Sequence, residues 1–161
     1  MRRRSLISTT LIAAAAIAAG SAPGAAATGK RATKLHCTIE VFRQGAPNPS
    51  TIQFGFVSCP RPFGAGLHYN EVTVTRAPAD GVPGAANGTF KNYYNRGTTS
   101  GTFELAIVPS SLTNITYSGT VTYTDGTGKF KHVKGRGTIE CTTTDGGAHK
   151  SCVVDSTLTG I

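Results

Sequence analysis

The 161-residue chain contains no Trp, one Met and only 8 acidic residues, and its charged fraction is 15%. Without Trp, the antibody-type sandwich is excluded, because a Cys, Trp and Cys spacing is its sequence hallmark. With so little charge and 39% hydrophobic residues, neither a disordered polyelectrolyte nor a coiled coil fits the composition. Beyond Leu35, no window of about 11 residues carries apolar positions at i, i+3, i+4 and i+7, so a helical bundle is excluded too. The common catalytic signatures are missing: there is no G-x-S-x-G, no H-E-x-x-H and no Walker loop. Gly126-Thr127-Gly128 precedes neither a helical pattern nor a Lys-Ser/Thr pair, so it is not read as a phosphate loop.

What is present begins with an address. Arg2, Arg3 and Arg4 stand before an alanine-rich apolar run from Leu6 to Ala19, and Ala25-Ala26-Ala27 follows a Ser-Ala-Pro-Gly break. This order of charged, apolar and small-residue regions reads as a secretory signal peptide over 1–27, cleaved before Thr28. The run is too short and too interrupted by Ser8, Thr9 and Thr10 to span a bilayer, so no membrane association is expected after cleavage. General secretion is favoured over twin-arginine export, because paired cysteines would not form before export in a reducing cytoplasm. Removing 1–27 leaves 134 of the 161 residues, and 13 basic against 8 acidic side chains, a net charge of +5 in place of +8. Lys30, Arg31 and Lys34 fall in a basic flexible tail, 28–34, ahead of a domain over 35–161. A nucleic-acid partner is therefore not expected.

The mature chain alternates polar and apolar residues with period two. Ile115, Tyr117, Val121 and Tyr123 share one face of a stretch whose other face is filled with hydroxyls. Eight strands are expected, over 35–43, 50–58, 67–76, 89–95, 99–107, 114–124, 135–144 and 149–159. The 77–88 segment, rich in Pro, Gly and Ala, reads as a loop and a candidate lid. Eight antiparallel strands split into a sandwich or close into a barrel with room for a side-chain core or one small ligand.

Four cysteines in a small exported chain predict two disulfides. A turn at Pro47-Asn48-Pro49 sets Cys37 opposite Cys59, with Ile39 facing Val57 and Phe42 facing Phe54. A two-residue Gly146-Gly147 turn, tolerant of positive φ, sets Cys141 opposite Cys152 and Ile139 opposite Val154. A thiolate metal site is not expected, since no C-x-x-C occurs and the compartment is oxidising.

The stretch from Gly119 to Thr138 carries the pattern G-T-G-x-F-x-x-V-x-G-x-G-T after an alternating strand, with a connector expected to bury Phe130 and Val133. This pattern resembles the allene oxide cyclase and dirigent-like superfamily, and in particular its secreted bacterial members of unknown function. The resemblance implies an eight-stranded antiparallel barrel with a central cavity, often trimeric. It covers scaffold positions, and no catalytic residue of the superfamily maps onto this chain.

Candidate site residues follow from face sharing. His68 and Asn70 lie on the strand face that carries Val72 and Val74, so they either line one end of an internal pocket, beside Tyr117 and Tyr123, or sit at a solvated mouth. Lys129, Lys131, Lys134 and Arg136, with His132 among them, form a basic cluster that either attracts an anionic polymer or guards a sheet edge. Leu35, Ile39 and Val41 share one face of the first hairpin while Phe42, Ile52, Phe54 and Phe56 share the other. Only one of these faces fits inside a barrel, so self-association as a trimer or dimer is expected. The expected function is a secreted, non-catalytic binding or interaction module that takes a small apolar ligand and needs no cofactor or metal. A cofactor-free isomerase or cyclase using the same cavity, and an anionic-polymer-binding surface module, are the alternatives.

Overall fold

A computed structural model describes residues 31–45 and 50–161. The expected signal peptide, residues 28–30 of the tail and the Pro47-Asn48-Pro49 turn lie outside the described residues. The strands are β1 (Thr33–Arg43), β2 (Ser50–Cys59), β3 (Gly64–Arg76), β4 (Gly84–Tyr94), β5 (Gly97–Pro109), β6 (Ile115–Gly126), β7 (Lys134–Thr143) and β8 (His149–Thr159). Each pairs antiparallel with its sequence neighbours, and β1 closes the ring by pairing with β8. Closure gives every strand a partner on both sides and leaves no sheet edge open to another chain.

Alternation decides which side chains fill the ring. On β1, Leu35, Cys37, Ile39 and Val41 point inward and are buried, while Phe42 stays outside and is 48% exposed. On β8 the inward set is Lys150, Cys152, Val154, Ser156 and Leu158. Both hairpins stand in the register expected from the cysteines: Ile39 faces Val57, Phe42 faces Phe54, Ile139 faces Val154 and Cys141 faces Cys152. The disulfides Cys37–Cys59 and Cys141–Cys152 bridge strand pairs whose Cα atoms lie 4.3 and 4.0 Å apart. They point into the barrel, and no described cysteine is free.

One end of the barrel is plugged. The connector between β6 and β7 forms a 3-10 turn over Gly128–Phe130, which drives Phe130 and Val133 into the end of the ring, where they are 1% and 0% exposed. Phe130 stacks on Phe63 at 4.4 Å between centroids and meets Tyr94 edge-on at 5.7 Å. Leu35 and Leu158 complete the plug. Four connections lie at the opposite end, after β1, β3, β5 and β7.

Three expectations are corrected. The 77–88 loop is shorter, because β4 already begins at Gly84. Its Pro-Gly-Ala-Ala-Asn-Gly composition is a packing demand, since a Cβ at Gly88 would overlap the Glu71 carbonyl and the Phe103 ring. The last hairpin turns through five residues, 144–148, in place of two. Here Thr143 Oγ1 donates to Asp145 and accepts from the Gly147 amide at 3.1 Å, and the Asp145 carboxylate accepts the His149 amide at 3.0 Å. These side-chain bonds widen the turn that glycine alone would have tightened. Finally, β1 starts at Thr33, so Lys34 belongs to the barrel wall.

Candidate functional site

Above the plug, the barrel holds a cavity of about 240 Å³, room for about eight water molecules. Its wall is mainly apolar, with Val72, Phe90, Phe103, Leu105, Val121 and Ile139 contributing from five strands. Leu105 and Ile139 are only partly buried although both point inward, because the space before them is open. The cavity reaches the unplugged end, where its rim carries Arg43, Thr51, Val74, Gly146, Gly147 and Lys150. Val74 at this rim is 41% exposed.

A polar chain crosses the deep end. His68 is 6% exposed and Asn70 likewise 6%. His68 Nδ1 lies 2.7 Å from Asn92 Oδ1, and Asn70 Nδ2 lies 2.9 Å from His68 Nε2. Asn92 Nδ2 in turn donates to Thr99 Oγ1 at 3.3 Å. Burial pushes the His68 pKa below its ordinary 6.5, against a smaller opposite effect of the Asn92 hydrogen bond. A neutral ring satisfies the whole chain: Nδ1–H donates to Asn92 and Nε2 accepts from Asn70. Asn70 Oδ1 is left buried without a partner.

A second polar group stands at the rim. Lys150, only 9% exposed, donates from Nζ to the Gly147 carbonyl at 3.1 Å and lies 5.5 Å from the centroid of the Tyr117 ring. Arg43 donates from Nη1 to the Gly146 carbonyl at 3.4 Å, and its buried Nε has no partner. The three side chains converge on one point. A Cβ placed on Gly147 would stand 2.9 Å from Tyr117 Oη, 3.7 Å from Lys150 Cε and 3.8 Å from Arg43 Nη1. Desolvation lowers the Lys150 pKa from 10.5 to about 8, and the Arg43 charge adds to the effect while Asp145 opposes it. Desolvation raises the Tyr117 phenol, so it keeps its proton and can donate.

The structure thus brings four of the sequence-derived candidates into one cavity, since His68, Asn70, Tyr117 and Tyr123 all line it. Of the two places open to His68 and Asn70, they occupy the deep end and not the mouth. The basic candidates do not share a pocket. Lys129, Lys131 and Lys134 are exposed near the plug, and Arg136 borders a separate outer groove with Lys34, His36 and Asp155. That groove carries an acid already, and Asp155 holds His36 at 2.7 Å. Arg43, Asn92 and Lys150 were missed among the candidates, although each shares strand parity with buried neighbours, Val41, Phe90 and Cys152.

No family model matches the chain, and no curated protein does. Among solved structures, the fold is similar to that of a protein described as pyocyanin demethylase, with 12% identity, 78% of this chain and 99% of that chain covered, and a TM-score of 0.43.

Proposed function

We propose that the protein is a secreted binding module that holds one small, largely apolar ligand inside its barrel. The observation that carries this reading is the cavity of about 240 Å³, floored by the aromatic plug and reaching only the opposite rim. An apolar wall with few convergent polar groups is the usual make-up of a small-molecule site. Releasing water from such a wall favours apolar occupants. The two disulfides suit an oxidising environment, which accords with export.

Binding is favoured over an isomerase or cyclase role by the state of His68. Both ring nitrogens are already engaged by Asn92 and Asn70, so a substrate would have to displace one of these amides before His68 could exchange a proton with it. The test is direct. Naphthalene-2-methanol, a neutral bicyclic probe, should bind one per barrel and be recovered unchanged. Ile139→Trp, which fills the cavity from β7, should reduce that binding at least tenfold while the barrel stays folded. Absence of saturable binding by the native chain would remove the cavity as the working site.

We further propose that a second copy covers the outer aromatic face, in a trimer or dimer. Phe54 faces Phe42 on one side and Tyr69 on the other, and Phe56 faces Leu67, which faces Tyr93. Phe56 and Leu67 are 62% and 57% exposed, and neighbouring exposed apolar side chains of this kind mark an interaction surface. Native mass spectrometry should report more than one chain per particle, and Phe56→Lys should return the particle to one chain. A monomeric native protein would contradict this.

A further inference from the structure

Resting on the cavity reading above, we infer that Arg43, Lys150 and Tyr117 form an anion site at the rim. The ligand is then an apolar molecule bearing a single carboxylate-type group, apolar body in the barrel and charge at the mouth. Three observations lead there. First, neither cation has a salt-bridge partner: all eight acidic side chains of the chain are among the described residues, and the carboxylates within salt-bridge distance of a basic side chain are Asp155, on His36, and Glu40, on His149. Asp145 acts on Lys150 only through space, and its oxygens are taken by Thr143 and the His149 amide. A lysine this buried is normally paired.

Second, donors are in surplus. Lys150 uses one of its three N–H bonds on Gly147, and Arg43 uses Nη1 on Gly146 and leaves Nε unpartnered. An ammonium and a guanidinium accept nothing, so only an acceptor can complete them, and a carboxylate offers two oxygens. Third, the placement is directional. The cations stand at the one end where the cavity reaches the rim, while the deep end holds the uncharged His68, Asn70 and Asn92 chain. A ligand charged at one end therefore has a single favourable orientation.

Three groups face the Lys150 ammonium on β8 from the elements around it: Arg43 on β1, Tyr117 on β6 and Asp145 in the 144–148 turn. A bound carboxylate favours the charged ammonium, so affinity is highest while Lys150 is protonated and falls as pH rises past about 8.

The experiment compares 2-naphthoate with 2-naphthamide, an anion and a neutral amide of nearly the same shape, titrated into the full mature chain. The chain has no Trp, so exciting the naphthalene probe to the red of the tyrosine absorption band reads its emission without a protein signal. The acid should bind at least tenfold more tightly than the amide at pH 7, and several-fold less tightly at pH 9.5 than at pH 7, while amide affinity stays level. Lys150→Met and Arg43→Met should each shrink the preference for the acid, with amide binding retained as proof that the barrel is intact. Equal affinities, or a preference that survives both substitutions, overturn the anion site and leave the cavity reading standing. Failure of both probes to bind overturns the two together.

Discussion

Lys150 projects from β8 across the barrel interior to place its ammonium 5.5 Å from the centroid of the Tyr117 ring on β6, a strand to which β8 is not hydrogen-bonded. The contact spans β7 and is made over the face of a phenol that remains protonated. A cation over an aromatic face recovers part of what desolvation costs, while burial and the Arg43 charge lower the Lys150 pKa to about 8 against the pull of Asp145.

That balance predicts an unusual alkaline dependence of stability. The unfolded lysine, near 10.5, binds its proton more readily than the folded one, near 8. The native state is therefore penalised below pH 8, and the penalty is relieved as pH rises from 8 toward 10.5. Urea unfolding of the native chain should show stability rising by about 1 to 2 kcal/mol between pH 7.5 and 9.5, from a limit of about 1.4 kcal/mol per pH unit for one proton. Lys150→Met should flatten the rise. A native chain as flat as the variant would show that Lys150 is better solvated than its surroundings indicate.

His68 gives a dependence of the same sign on the acid side. Its folded pKa lies below the unfolded value of 6.5, so the unfolded chain binds the proton first and stability falls as pH drops below 6.5. His68→Gln keeps a hydrogen-bonding side chain and removes the titration. The native chain should lose up to about 1 kcal/mol more than this variant between pH 7 and pH 5.5. Equal losses would mean that burial does not keep the ring neutral.

Much of the barrel was legible because its rules are local. Period-two alternation separates Ile39 and Val41 from Phe42, and the cysteine positions then dictate the register of both hairpins. The start of β4 was not legible, since Gly84 and Gly88 are small to let the Pro78 and Phe103 rings and the neighbouring backbone approach. Turn composition and close-packing composition look alike in a single sequence. The five-residue final turn depends on Thr143 and Asp145 side chains competing for backbone amides, which a glycine pair does not reveal. For the site, His68 and Asn70 were found by parity with Val72 and Val74. The same parity places Arg43 with Val41, Lys150 with Cys152 and Asn92 with Phe90. Charge and amide groups suggest solvent, and only the closed ring shows that these positions face a cavity.

The disulfides should matter in proportion to the loops they close. Cys37–Cys59 spans 22 residues and Cys141–Cys152 spans 11, so chain entropy assigns each about 3 kcal/mol, the first slightly more. Replacing either pair with alanines should lower the urea-derived stability by that order, and the Cys37 and Cys59 double variant should lose more. Unchanged stability in both variants would mean that the unfolded chain is already restricted in other ways.

The central claim, that the barrel interior is the working site, is tested most directly by titrating naphthalene-2-methanol into the native chain and into Ile139→Trp under the same conditions. Saturable binding of one probe per barrel by the native chain, weakened at least tenfold in the folded variant, is the predicted result. Equal binding to both, or none to the native chain, would contradict the claim.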